Sequence, residues 1–144
     1  MRKLSAVVFA ATLFACASIK PAPVQVGDRC LRCGRVVSEV RLAAELIDGL
    51  RAPFPFRTAG CMAKYVKDHA DRPVTALFVT DQTTGRMILV GDAWFVPTVR
   101  PVPDRKMGED DYAAFGSRAD AEAFRAGRAR LLRWPQVVAE AAAN

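Results

Sequence analysis

Hydrophobic and polar positions divide the chain into three stretches. Leu4 to Phe14 is almost wholly apolar with no polar face, Ala17 to Asp28 mixes prolines with polar residues, and from Arg29 onward short apolar runs alternate with turn residues. Only the third stretch carries the periodicities of a folded domain. Val40 to Ile47 reads as a strand, Asp48-Gly49 as a hairpin turn and Leu50 to Phe56 as the returning strand. Pro53 and Pro55 lack the N–H that a central strand donates, which confines this second strand to a sheet edge. Thr58 supplies an N-cap for a helix through Cys61 to about Ala70, with Met62, Tyr65 and Val66 as its apolar positions. Arg72-Pro73 breaks that helix, and Val74 to Thr80 follows as a β-rich run.

The same order recurs downstream. Thr84-Gly85 is a turn; Met87 to Val90 with Trp94 to Val96 reads as a strand interrupted at Gly91. A proline-rich loop from Pro97 to Asp111 follows, long enough to point to function rather than mere connection. Tyr112 to Phe115 reads as a short strand, and Ser117 caps a helix over Arg118 to Gly127 with Ala121 and Phe124 on one face. Leu131 to Trp134 is the expected last strand, with a closing helix from Gln136. The fold class that results is α+β: two consecutive β-β-α-β units, about 29–82 and 83–144, packed as one small protein. No repeat of fixed period accompanies them in sequence.

The apolar leader changes where this protein is expected to work. Arg2 and Lys3 precede it, and about eleven residues is too short for a bilayer span of roughly twenty. It ends in Leu13-Phe14-Ala15-Cys16, which resembles the bacterial lipobox, so residues 1–15 read as a signal peptide and Cys16 as the lipidated residue. Residues 16–28 then form a flexible spacer between anchor and domain. Ala17, rather than Asp, after the anchor favours the outer membrane of a Gram-negative cell, facing the periplasm. Loss of Arg2 and Lys3 takes the basic count from 21 to 19 against 15 acids, lowering the formal charge from +6 to +4. The arginines are scattered without interleaved aromatics, which argues against nucleic acid as a partner.

Lipidation of Cys16 leaves three thiols, Cys30, Cys33 and Cys61, and three cannot all pair within one chain. The Cys30-Leu31-Arg32-Cys33-Gly34 segment brings two of them onto one tight loop. Structural zinc takes four ligands, normally from a second cysteine pair that this chain lacks. A thioredoxin-type pair opens a helix, whereas Val36-Val37 and Val40 lead toward a strand here. Haem attachment needs histidine where Gly34 stands. A disulfide across the loop remains open, as does a soft-metal site, since Cu(I) accepts two or three thiolate or thioether ligands. Met107, in the charged stretch Arg105 to Asp111, has no core to fill and is the candidate third ligand. Met62 and Met87 fall on a helix face and in a strand, where methionine fills core space. His69, the only histidine, falls near a helix C-terminus, where the dipole favours it. No nucleophile elbow, phosphate loop or paired acid–base motif is present, so no enzymatic turnover is expected.

Several short motifs, in order along the mature chain, resemble the NosL family of copper-binding accessory lipoproteins of nitrous oxide reductase. They are the lipobox cysteine, Cys-x-x-Cys-Gly at 30–34, Gly60-Cys61-Met62, Val79-Thr80-Asp81, Ala93-Trp94-Phe95-Val96, Met107-Gly108, and Ala114-Phe115 before a helix with Ala121 and Phe124. Arg35 stands where the family often carries methionine after Cys-Gly. The resemblance implies a pair of β-β-α-β units and a Cu(I) carrier working with a membrane transporter complex and a copper-accepting apo-enzyme. It points to Cys30, Cys33 and Met107 as metal ligands, with Cys61, Met62 and His69 as secondary candidates. Two other readings stay open: a membrane-tethered thiol–disulfide protein using Cys30 and Cys33, and a binding module that docks a partner through the proline-rich loop.

Overall fold

The structure is a computed structural model that describes residues 18–98, 111–127 and 130–143. Cys16 and Met107, with the leader and most of the proline-rich loop, lie outside the described residues. None of the described helices is long and apolar enough to cross a membrane.

The first unit comprises β1 (Ala44–Asp48), β2 (Pro53–Phe56), α1 (Ala59–Asp68) and β3 (Val74–Thr80). It is joined by β4 (Met87–Leu89) in an antiparallel sheet of order β2-β1-β3-β4. The proline-bearing strand lies at the edge, as its missing N–H groups require. β5 (Trp94–Thr98) pairs with β6 (Asp111–Phe115) in a second sheet, followed by α2 (Arg118–Arg125). The other edge of β5 is bridged by Leu132, whose N–H and carbonyl both bond Phe95 at 2.9 Å. In both units, therefore, the first strand is central and the segment after the helix returns to its far side; β2 is a sheet edge, whereas β6 is bridged on its outer side by Asp81. The α+β repeat expected from the pattern is present. α3 (Trp134–Ala143) closes the fold against α1. A parallel bridge between Asp81 and Ala114 joins the two sheets, and one core runs through both units, from Leu46, Phe56 and Met62 to Phe95, Tyr112 and Val137.

Element boundaries differ from the pattern for local reasons. Val40–Leu42 forms a 3-10 turn, so β1 begins at Ala44 and not Val40. The expected two-residue Asp48-Gly49 turn is a wider loop, with β2 starting at Pro53. Asp48 Oδ1 accepts the N–H groups of Leu50 and Ala52, and Arg51 takes the left-handed conformation at φ 64°. Gly49 serves close approach instead: a Cβ there would lie 3.0 Å from the Pro73 ring. The α1 helix stops at Asp68, with His69 as its cap. The interruption at Gly91 separates two strands that enter different sheets, because Met87–Leu89 pairs with β3 while Trp94–Thr98 pairs with β6. The last strand shrinks to the Leu132 bridge, since Trp134 already opens α3. Helix α2 ends at Arg125, two residues short of Gly127, and Phe124 is half exposed while its ring meets Phe115 at 5.0 Å.

The spacer is anchored before it reaches the domain. Ala22 donates its N–H to Glu45 Oε1 at 2.9 Å, and Gly27 donates to the Val37 carbonyl. Glu45 is buried in β1, and burial raises its pKa above 4.5 more than the Ala22 hydrogen bond lowers it. The folded state thus holds a proton over a range in which the unfolded chain has released it. Stability falls as pH climbs from about 4.5 through that raised value and then levels off. Glu45→Gln keeps an acceptor for Ala22 and has no charge to bury. It should match the parent in urea unfolding at pH 4 and exceed it at pH 7; equal midpoints at both pH values would refute this account.

Candidate metal centre

The cysteine loop is a small hairpin built by its own backbone. Cys30 N–H bonds the Arg35 carbonyl at 2.9 Å, Gly34 N–H returns to the Cys30 carbonyl at 2.9 Å, and Arg29 bridges Val36. Gly34 supplies the left-handed turn at φ 69° that folds the strand ends together. Leu31 N–H bonds the Pro55 carbonyl at 2.9 Å, so the free edge of β2 holds the loop in place. The two prolines that weaken β2 as a strand leave its carbonyls available for this docking.

The third thiol arrives from α1. Phe56 ends β2, Arg57 links, and Thr58 caps the helix by accepting the Cys61 N–H on Oγ1 at 3.1 Å. Cys61 therefore sits in the first helical turn, directly against the loop. The sulfurs of Cys30, Cys33 and Cys61 all lie within 4.8 Å of one another; Cys30 and Cys61 are buried and Cys33 is half-buried. No disulfide joins them.

Their electrostatics are unequal. Cys30 is held down to about 5, first by a hydrogen bond from the Cys61 thiol and then, against its burial, by the N–H groups of Arg57, Cys33 and Arg32. Cys61 is pushed strongly upward because its proton is committed to Cys30 and its surroundings are buried. Burial also raises Cys33. One preformed thiolate thus stands beside two thiols that retain their protons until a cation displaces them. Ultraviolet thiolate absorbance should accordingly show one equivalent titrating near about 5 and no further rise below about pH 9. Cys61→Ala removes the leading cause and should move that step upward; a parent with no thiolate signal below about pH 7 would contradict the geometry.

Of the other sequence candidates, His69 stands outside this group of sulfurs. Its Nδ1 lies 2.9 Å from the Tyr65 carbonyl, and its ring stacks on Tyr65 at 4.2 Å. Met62 is fully buried in the shared core, and Met87 is half-buried opposite Thr80 on β4. Cys61 is the member that spacing alone placed second, because nothing local ties residue 61 to residues 30 and 33. The Gly60-Cys61-Met62 motif was its one signal.

The donor set fits a soft ion. Metal–sulfur bonds of about 2.3 Å place three sulfurs roughly 4 Å apart around a trigonal centre, a small contraction of the observed cluster. Zinc would need a fourth ligand, and among the described residues no His, Asp or Glu joins the three sulfurs. Fold and site together define a small α+β protein with a buried, low-coordinate three-sulfur cluster at the meeting of a loop and a helix. The copper chaperone NosL from Shewanella denitrificans has a crystal structure that aligns with this chain at a TM-score of 0.66. The alignment covers 83% of this chain and 96% of that one at 19% identity, so the two share a fold. No family model and no curated protein matches the sequence. The fold expected from the sequence resemblance is the one observed.

Proposed function

We propose that this protein is a carrier of Cu(I), exported and lipid-anchored through Cys16 at the periplasmic face of the outer membrane. The observation that carries the reading is the convergence of the Cys30, Cys33 and Cys61 sulfurs within 4.8 Å in a fold shared with a copper chaperone. Cys30, already a thiolate, makes the first bond, and Cys61 and Cys33 lose their protons as the ion settles. Met107, on the connection between β5 and β6, is a further thioether donor. Three soft ligands, one of them half-buried, allow release by stepwise exchange to an acceptor with more ligands. The sequence resemblance makes nitrous oxide reductase the recipient we propose, with a membrane transporter complex assisting. The protein acts stoichiometrically, without turnover of a substrate.

Chelator-competition titration of the purified, reduced protein should find one Cu(I) per chain. The combined variant Cys30→Ser, Cys33→Ser, Met107→Leu should bind far more weakly, and equal affinity would dispose of the proposal. The depressed Cys30 beside Cys33 also supports a second reading, thiol–disulfide exchange. That reading requires turnover in insulin reduction, and an inert protein in that assay excludes it.

A further inference from the structure

Beside the cysteine loop lies a cavity of about 390 Å³. Its walls include Leu31 from the loop, Leu50 from the hairpin turn, Phe54 of β2, Tyr65 and His69 at the end of α1, and Val74 of β3. Seven large hydrophobic residues are exposed among those described, and three of them gather here: Leu31, Leu50 and Val74, with Leu50 90% exposed. Such clustering marks a contact site rather than scattered surface apolarity.

Three arginines edge the cavity, against the exposed carboxylates Asp68 and Asp71 beside His69 and Arg72. Arg72 lines the cavity and donates to the Tyr65 hydroxyl at 3.1 Å. Arg32 and Arg51 directly follow Leu31 and Leu50; both are exposed, and neither forms an ion pair among the described residues. The one carboxylate in the lining, Asp48, is occupied by the N–H groups of Leu50 and Ala52. Leu31 has a double role. It lies between two cysteines of the metal loop and also lines the cavity, so an occupant touching Leu31 contacts that loop, while the cysteines themselves lie outside the lining.

We propose that this cavity is the docking site of the copper-exchange partner, a protein that inserts an apolar side chain flanked by carboxylates. The proposal rests on the copper-carrier reading and adds the surface and chemistry of the encounter. A concave site suits an inserted side chain better than a flat lipid surface does. Free arginines at its edge speed encounter with an acidic face and make it salt-sensitive.

The test pans a phage-displayed library of random twelve-residue peptides against the purified, reduced protein. Enriched peptides should combine Leu, Phe or Trp with adjacent Asp or Glu. They should bind Leu50→Asp and Arg51→Glu at least tenfold more weakly than the parent, and weaken in high salt. Leu50 and Arg51 are exposed, so both variants should fold and retain parental Cu(I) affinity. Three results would each overturn the proposal: no enrichment; peptides that bind both variants as tightly as the parent; or Leu50→Asp abolishing Cu(I) binding. Binding of the parent to phosphatidylglycerol vesicles, lost in Leu50→Asp with no peptide enriched, would assign the cavity to membrane instead. Failure of the copper reading shows separately, as a parent that binds no Cu(I) whatever peptides it selects.

Discussion

Cys30→Ser should weaken Cu(I) binding by more than about 100-fold, beyond the roughly 10- to 100-fold that loss of an outer-shell partner costs. Four donors converge on this sulfur: the Cys61 thiol and the N–H groups of Arg57, Cys33 and Arg32. They stabilise a negative charge before any ion arrives. A serine hydroxyl in the same place stays neutral and is a hard ligand, poorly matched to Cu(I). Cys61→Ser should cost a similar factor, since it removes a buried sulfur that the Thr58-capped turn fixes against the loop. Cys33→Ser should cost less, because Cys33 is half-buried and two sulfurs remain. Competition against a Cu(I) chelator ranks the three variants. Parental affinity in both Cys30→Ser and Cys61→Ser would remove the three-sulfur centre as the copper site.

That ranking could not have been read from spacing, and the reason is physical. The Cys30–Cys33 pair is local, so the Cys-x-x-Cys-Gly pattern reveals it directly, as Thr58 and Ser117 reveal their helices through caps. Pro53 and Pro55 likewise announce an edge strand, because a missing N–H is a property of the residue itself. Cys61 joins the cluster only through the β1–β2 hairpin and the β2 edge that holds Leu31, which are tertiary facts. The strand start expected near Val40 fails for a local reason instead, whereas the interruption expected at Gly91 is present. Val40–Leu42 is apolar enough for a strand, but the Val40 carbonyl accepts the Ala43 N–H in a 3-10 turn. Met87–Leu89 and Trp94–Thr98 look alike in pattern, yet their pairing partners lie in different sheets. His69, a secondary candidate from the sequence, caps α1 and stacks on Tyr65, outside the group of three sulfurs. The cavity leaves no pattern in the sequence because its walls come from several elements far apart along the chain.

Phe56→Ala should destabilise the protein by about 3–5 kcal/mol, the usual cost of emptying a buried phenylalanine site. Phe56 is fully buried at the end of β2, and its ring meets Tyr65 of α1 at 5.3 Å with a tilt of 57°. Its neighbours in sequence, Arg57 and Thr58, supply a donor to Cys30 and the cap that places Cys61. The same side chain therefore packs the core and sets the spacing between loop and helix that brings the sulfurs together. Copper should in turn resist the loss, because an ion bound only by the folded state adds RT ln(1 + [L]/Kd), or about 4 kcal/mol at a thousandfold excess over Kd. Urea unfolding of Phe56→Ala should show a large drop for the metal-free protein and a partial recovery with Cu(I). A drop below about 1 kcal/mol would mean that the β2–α1 junction tolerates the cavity. A large drop without recovery would mean that the metal site needs Phe56 for its geometry as well as for its stability, so that cluster and core cannot be separated at this residue.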